Sequence, residues 1–555
     1  MKRVALAALL AALVSGCASV PAPPPPRPLS NVVSDNPPPR LIVAVAVDQF
    51  SADLFDEYRS SFTGGLARLA NQGVAFHNGY QSHSITETCL GHSTMLTGMH
   101  PAHTGIIGNS WYQPASPRGR QPIYCAEDES KIPAKYDAAN YVVSPIHLKV
   151  PVLGELLKAV SPRSQSVAVA GKDRAAVMMG GHTPDVRWYY RTRGDNAKFE
   201  SDLPGAVETP AVTAVNAHIA AEIAQSAPAM PVPAGCESRD KPITLEGGMV
   251  VGNGRFTRGP GQGPYHSSPA LDSDTVDLAT ALVDERQLGR DGAPDVLAVS
   301  LSATDYIGHS FGTEGLEMCI QMHALDQQLG RLFGALDQRG IDYAVVLTAD
   351  HGGTDIPERL RLAGNAQAER QPDTLGSKTI GDKIAAALHL PENPLIGDGD
   401  VYVAPGLDSA TRARVIDMTV AAYRAIPEVA AVYTNPQLAA VPVPTGDPTK
   451  FTLEQRARAS FDSQRSGVIV VQLKQWVVPI AHPGGGYVAT HGSPWDNDRR
   501  VPILFWRKGM APESRDDPAD TVDILPTLAG MLGLPLTGPI DGRCLTGISG
   551  APCPG

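Results

Sequence analysis

The sequence holds 555 residues, with 46 Lys or Arg against 57 Asp or Glu, a formal charge of −11. An acidic balance of this size speaks against general nucleic-acid binding, which favours a basic surface. Hydrophobic residues reach 43% and charged residues only 19%, while 54 Gly and 49 Pro exceed the usual share; these figures exclude coiled coil, collagen and wholesale disorder and predict a compact fold with many long, ordered loops.

Lys2 and Arg3 open the chain, and an apolar run follows from Ala5 to Val14. This reads as a signal peptide over residues 1–16, too short for a stable membrane-spanning helix. The segment Val14-Ser15-Gly16-Cys17 resembles the lipobox of bacterial lipoproteins, which implies that Cys17 takes the lipid and becomes the mature N-terminus. An ordinary secretory signal with an unrelated cysteine is the other reading. Residues 21–39 contain nine prolines, so 17–40 reads as a semi-rigid lipoprotein tether. Residues 41–555 read as the catalytic domain. No later run approaches the roughly 18 apolar residues of a membrane span. Apart from Cys17, six of the seven cysteines remain. An exported chain can pair them, and Cys544 and Cys553 are placed to close a small C-terminal loop.

Residues 41–47 are continuously apolar and end at Asp48, the pattern of a strand buried on both faces of a parallel sheet. Similar runs lie at 166–170, 296–301, 343–348, 467–471 and 501–505. Helical patterns fall between them at 152–160, 275–285, 317–336 and 521–532. Strands alternating with helices predict an α/β fold, with a mostly parallel central sheet and helices on both faces. Long irregular stretches near 110–145, 185–270 and 355–465 read as loop-rich insertions. Ligands of such sheets bind beyond the carboxyl ends of the strands. The residues at those ends are Asp48, then Lys172 and Arg174, then Asp305, then Asp350 and His351.

Asp305 and His309 are four residues apart, on one face if helical. His491 follows in an Ala489-Thr490-His491-Gly492 segment. Carboxylates mixed with imidazoles suit zinc. A single aspartate at a strand end is more often a helix cap, and a lone histidine is more often packing. The set gains weight because its members share one topological edge.

Between Asp48 and the second strand lies Thr86-Glu87-Thr88-Cys89-Leu90-Gly91-His92. Asp48, this segment, Asp305-x-x-x-His309, Asp350-His351-Gly352 and His491 together resemble the alkaline phosphatase superfamily. More narrowly they resemble its threonine-nucleophile bacterial alkaline phosphatases of the phosphate-irrepressible type. Gly108-Asn109, Gly171-Lys172-Asp173-Arg174 and the stretch beginning at Asp523 are similar to that branch too. The likeness spans roughly residues 40–550.

The resemblance implies two zinc ions, one held by Asp48, Thr88, Asp350 and His351, the other by Asp305, His309 and His491. It implies Thr88 as nucleophile, with Asn109, Lys172 and Arg174 on the phosphate. The chemistry is coherent on its own terms. Metal coordination turns a weak threonine hydroxyl into an alkoxide, and a second metal about 4 Å away neutralises the leaving oxygen. A monoester dianion has three free terminal oxygens, which two cations and an amide suit better than they suit a diester. The sulfatase motif is absent, since Leu90-Gly91-His92 follows Cys89. Thr86 is a rival nucleophile outside the motif. His92 either supports the nucleophile's helix or backs the ligands. His482 reads as loop structure.

The expected function is an exported zinc-dependent phosphomonoesterase acting on small phosphate monoesters through a phosphothreonine, with alkaline operation. Membrane contact is expected only through the N-terminal lipid, and nucleic acid is not an expected partner. The alternative is a phosphodiesterase or nucleotide pyrophosphatase on the same scaffold. A non-catalytic lipoprotein is the reading from another class.

Overall fold

The seven apolar residues Leu41–Val47 form strand β1, buried along its whole length. Its neighbours make it the centre of the chain's largest sheet. In this computed structural model, which describes residues 37–133, 135–193, 196–252, 254–548 and 553, eight further strands join it. They are β2 (Val74–Phe76), β3 (Ser166–Ala170), β4 (Val186–Arg193), β5 (Asn196–Glu200), β6 (Asp295–Leu301), β7 (Tyr343–Thr348), β8 (Ile503–Arg507) and β9 (Glu513–Arg515). The order is β9-β2-β8-β7-β1-β6-β3-β4-β5. The signal segment 1–16 and residues 17–36 of the tether lie outside the described residues.

The middle five strands, from β7 to β4, are all parallel. Register levels their carboxyl ends: Val47 sits opposite Leu301, Ala46 opposite Thr348 and Ala170 opposite Ser300. Asp48, Lys172, Asp305 and Asp350 therefore emerge along one edge. Alternate side chains of β1 point to opposite faces. Leu41, Val43, Val45 and Val47 pack under helices Ala270–Glu285 and Leu316–Gln338. Ile42, Ala44 and Ala46 pack under helices Thr88–Met95, Asp173–Gly180 and Ile524–Leu532. The sheet is thus covered on both sides, as the alternating pattern predicts. Gly91 permits one close approach here. A Cβ on it would lie 2.0 Å from the Asp350 carbonyl oxygen, so any larger residue would push the Thr88–Met95 helix off the end of β7.

Two apolar runs take different places from those expected. The run at 467–471 appears as strand Ile469–Leu473, which belongs to a separate four-stranded sheet and not to the central one. It pairs antiparallel with Asp400–Val403 on one side and Val429–Thr434 on the other. The run at 501–505 appears as β8, antiparallel to both β7 and β2. An apolar run encodes burial, but neither the partner nor the direction. The third insertion is accordingly more ordered than its sequence suggests. Helices Ser377–Leu388 and Ser409–Arg424 close the small sheet around Ile380, Val401, Val415, Tyr423 and Ile469. The second insertion begins with the β4–β5 hairpin, which extends the central sheet. The first carries a short hairpin of Ser110–Tyr112 with Pro122–Tyr124.

The described cysteines form three disulfides, Cys89–Cys125, Cys236–Cys319 and Cys544–Cys553. The last is the C-terminal loop expected from spacing. Among the described residues no helix is long and apolar enough to cross a membrane.

Candidate active site

Four of the five parallel strands lead into polar side chains at the level edge of the sheet. Asp48 directly follows β1, and Asp350 and His351 follow β7. Lys172 caps helix Asp173–Gly180 and Arg174 lies in its first turn. Asp305 and His309 share one face of helix Ala303–Phe311. Thr88 is the first residue of helix Thr88–Met95. His491 arrives from the far C-terminal part of the chain.

These side chains converge. His351 Nε2 lies 3.6 Å from Asp48 Oδ1 and 3.4 Å from Asp350 Oδ2. Asp305 Oδ1 lies 3.3 Å from His309 Nε2 and 3.4 Å from His491 Nε2. The His351 and His491 rings stack with centroids 3.6 Å apart, which joins the two groups. Ligand atoms of Asp48, Asp350 and His351 all fall within 4.8 Å of one another, as do those of Asp305, His351 and His491. His351 thus adjoins both sets. Thr88 enters from the side, with its Oγ1 accepting a 3.3 Å hydrogen bond from Arg174 Nη2.

The donor set fits divalent cations. Asp48 Oδ1 and His351 Nε2 are buried and lack a hydrogen-bond partner, which is costly unless a cation meets them. The three histidines direct their other nitrogen into backbone: His309 Nδ1 is 2.8 Å from the Ala489 carbonyl oxygen, His351 Nδ1 2.8 Å from that of Gly352, and His491 Nδ1 2.6 Å from that of Thr86. Donating there leaves each Nε2 with a lone pair facing the carboxylates, as when a metal-binding imidazole is oriented by a carbonyl on its other nitrogen. Burial pushes His351 down to about 3, which keeps it neutral as a ligand must be.

Charge balance points the same way. Three buried carboxylates face one buried lysine. Lys172 Nζ lies 2.6 Å from Asp48 Oδ2, contacts Asp305 Oδ2, and sits 4.8 Å from the Tyr306 ring centre. Burial opposes the ammonium charge, yet Asp305 and Asp48 hold its pKa above the ordinary lysine value. Burial and the neighbouring Asp350 push Asp48 well above the carboxylate range. The site is short of positive charge at that residue.

Asn109 and Arg174 line a cleft of about 600 Å³, together with His309 and His491. The Asn109 Oδ1 accepts from the Cys89 backbone N–H at 2.9 Å, and its own N–H donates to Glu87 Oε2 at 2.5 Å. Its side-chain NH₂ is left as a donor. The hairpin that carries Asn109 is fastened on two sides. The Cys89–Cys125 disulfide ties it to the residue after Thr88, and Cys125 N–H donates to the Asn109 carbonyl at 3.0 Å. On the other side Tyr124 Oη donates to Asp173 Oδ1 at 2.7 Å, and Tyr141 Oη donates to Asp173 Oδ2. Asp173 also accepts from the Arg174 N–H at 2.7 Å. One covalent bond and two hydroxyls thus tie Thr88, Asn109, Lys172 and Arg174 into a single frame.

A family model described as type I phosphodiesterase / nucleotide pyrophosphatase matches residues 42–494. The chain belongs to this family. Within the wider alkaline phosphatase superfamily it is similar to alkaline phosphatase PhoK of Sphingomonas sp, at 48% identity over 92% of each chain. It is also similar to alkaline phosphatase PhoD of Zymomonas mobilis, at 44% identity over 91% of this chain and 88% of the other. Among solved structures, alkaline phosphatase PafA superposes with a TM-score of 0.79 at 23% identity, covering 92% of this chain and 99% of that one. Murine ectonucleotide pyrophosphatase / phosphodiesterase 5 gives 0.52 at 14% identity, covering 90% and 97%. These two structures share the fold.

Several residues in this family member carry more than their motifs suggested. His92 serves in both of its expected places: Nδ1 lies 2.9 Å from the Thr88 carbonyl oxygen and 3.1 Å from Asp350 Oδ2, while Nε2 lies 2.8 Å from Ser300 Oγ. It braces the Thr88 helix against the end of β7. Thr86 is bound up in structure, its hydroxyl donating to the Ser493 carbonyl at 2.9 Å. His482 is exposed, beside Asp373 at 3.0 Å. Glu87, Tyr124, Tyr141, Asp173 and Tyr306 were not legible as site residues. Glu87, Asp173 and Tyr306 carry a signal, as direct neighbours of Thr88, Lys172, Arg174 and Asp305 in sequence; Tyr124 and Tyr141 carry none.

Proposed function

We propose that the chain is an exported, zinc-dependent alkaline phosphatase that hydrolyses small phosphate monoesters through a phosphothreonine at Thr88. The supporting observation is the frame that holds Asn109 and Arg174 against the Thr88 turn, beside the carboxylate–histidine cluster in which Lys172 bridges Asp48 and Asp305. In this reading Asp48, Thr88, Asp350 and His351 hold one zinc, and Asp305, His309 and His491 hold a second. When bound, the two ions supply Lewis acidity for the Thr88 hydroxyl and for the leaving oxygen.

The protein's own groups do the rest. Arg174, already bonded to Thr88 Oγ1, offers a planar fork to two phosphate oxygens. Asn109 donates from its amide to a terminal oxygen. Lys172 supplies a compact charge. Thr88 Oγ attacks phosphorus in line as the ester bond breaks, and the alcohol leaves opposite. Water then cleaves the phosphothreonine, restoring Thr88 and releasing phosphate. Two inversions retain configuration.

The family model's description favours a second reading, a diesterase. One assay separates them. The purified protein is given an aryl monoester and the matching aryl diester, before and after chelation. Preference for the diester, or activity that survives chelation, refutes the proposal. Residues 1–40 support export with a lipid at Cys17; wild-type and Cys17→Ser protein should differ in membrane association.

A further inference from the structure

A phosphoryl group held by Asn109 and Arg174 would fill only a corner of the 600 Å³ cleft. That volume is within the range of sites that enclose a whole small molecule. The cleft runs from His309 and His491 to the small four-stranded sheet, whose Asp400, Val470 and Leu473 form its far wall. Ile107, Val477, Val478 and Pro479 add apolar surface. Tyr487 lies across His309, ring centres 4.7 Å apart, and also lines the cleft.

The charges on this lining are one-sided. Arg174 is the one lysine or arginine among the described lining residues, and it stands at the phosphate end. Glu87, Asp398, Asp400 and Asp498 are acidic. Asp498 is occupied, accepting from Ser493 N–H and Asn497 Nδ2 at 2.8 Å each. Asp398 accepts from the Ser377 N–H at 2.7 Å. Asp400 Oδ1 is buried without a hydrogen-bond partner. Glu87 accepts from the Asn109 N–H, and among the described residues no lysine, arginine or histidine forms an ion pair with it. Burial, opposed by hydrogen bonds from the Gly467 N–H and Tyr402 and reinforced by Glu87, holds Asp400 up at about 7, so it is ionised where an alkaline enzyme works. Beyond the phosphate corner, a substrate meets apolar walls and the carboxylates of Asp398, Asp400 and Asp498, with no lysine or arginine among the described lining residues there.

We propose that this cleft is a leaving-group subsite that takes alcohols with an apolar or aromatic body, prefers a cationic substituent, and rejects a second anionic group. The inference rests on the phosphomonoesterase reading above. Nucleoside polyphosphates and sugar bisphosphates would be poor substrates, and amine-bearing or plain aryl esters good ones.

The test uses three aryl monoesters of matched size: 4-(aminomethyl)phenyl phosphate, phenyl phosphate and 4-(carboxymethyl)phenyl phosphate. The expected order of kcat/KM is amine, then neutral, then carboxylate, with about tenfold or more between the extremes. Glu87→Gln and Asp400→Asn should each shrink that ratio by about threefold. High salt should shrink it in the wild-type enzyme, a readout that needs no variant. Equal kcat/KM for the charged pair, or a ratio unmoved by both substitutions and by salt, overturns the subsite. Hydrolysis confined to the matching methyl aryl diesters would instead overturn the monoesterase reading, and the charge order would then be read on the diesters.

Discussion

The hydroxyls of Tyr124 and Tyr141 hold the carboxylate between Lys172 and Arg174, so removing them tests whether the frame positions the phosphate cations. Asp173 is 6% exposed and takes two hydroxyl donors and one backbone N–H. Each hydrogen bond to a buried charge contributes about 1.5–3 kcal/mol. Tyr124→Phe with Tyr141→Phe therefore withdraws about 3–6 kcal/mol of support and leaves the Arg174 N–H as the remaining donor. Asp173 must then shift or admit water, and the side chains on either side of it move. A displacement near 1 Å at a positioning group costs about 10²-fold in rate. Monoester kcat/KM should fall by that order in the double variant. A diester, with one oxygen blocked, depends less on those cations and should lose under about threefold. The assay is steady-state kinetics on both substrates, with thermal unfolding to confirm a folded enzyme. Equal losses on the two substrates would show a merely structural role, and unchanged monoester turnover would refute the frame.

Other outcomes are expected. Lys172→Ala with Arg174→Ala should lower monoester kcat/KM by at least about 10³-fold and diester kcat/KM far less; equal losses would contradict the phosphate assignment. Chelation should abolish turnover and lower the melting temperature, because buried carboxylates at Asp48, Asp305 and Asp350 are left facing one another; elemental analysis of the active protein should find about two zinc per chain, and a chain active without bound metal would contradict this. Burial lifts the Asp272 carboxyl to about 6, against about 3.9 unfolded. The folded state binds that proton more tightly, so the contribution is present below about pH 4 and is lost as pH rises through 6, up to about 3 kcal/mol. Urea unfolding of wild type and Asp272→Asn should diverge across that window, and parallel profiles would refute the assignment.

The sequence-legible part of the molecule is the part governed by local pattern. Residues 166–170 and 343–348 become strands with those bounds, because a strand buried on both faces must be apolar throughout. The polar residues after them are legible for the same reason: an aspartate or lysine closing such a run stands at a sheet edge. What pattern does not encode is pairing. Ile469–Leu473 is as apolar as the central strands, yet its partners are Asp400–Val403 and Val429–Thr434. The bond from Tyr124 to Asp173 spans 49 positions. Nothing near Tyr124 in sequence distinguishes it from any other buried tyrosine.

The small four-stranded sheet closes around residues of its own and still supplies one wall of the cleft. The proposed phosphate site lies on the edge of the central sheet, and the far wall of the cleft belongs to a separate core. Val470 and Leu473 belong to neither cluster under the central sheet, so a substitution there acts on the cleft wall before it reaches Asp48, Thr88 or Asp350. On the proposed reading, such a chain can change its preferences by altering a partition, while the groups assigned to the reaction stay where they are.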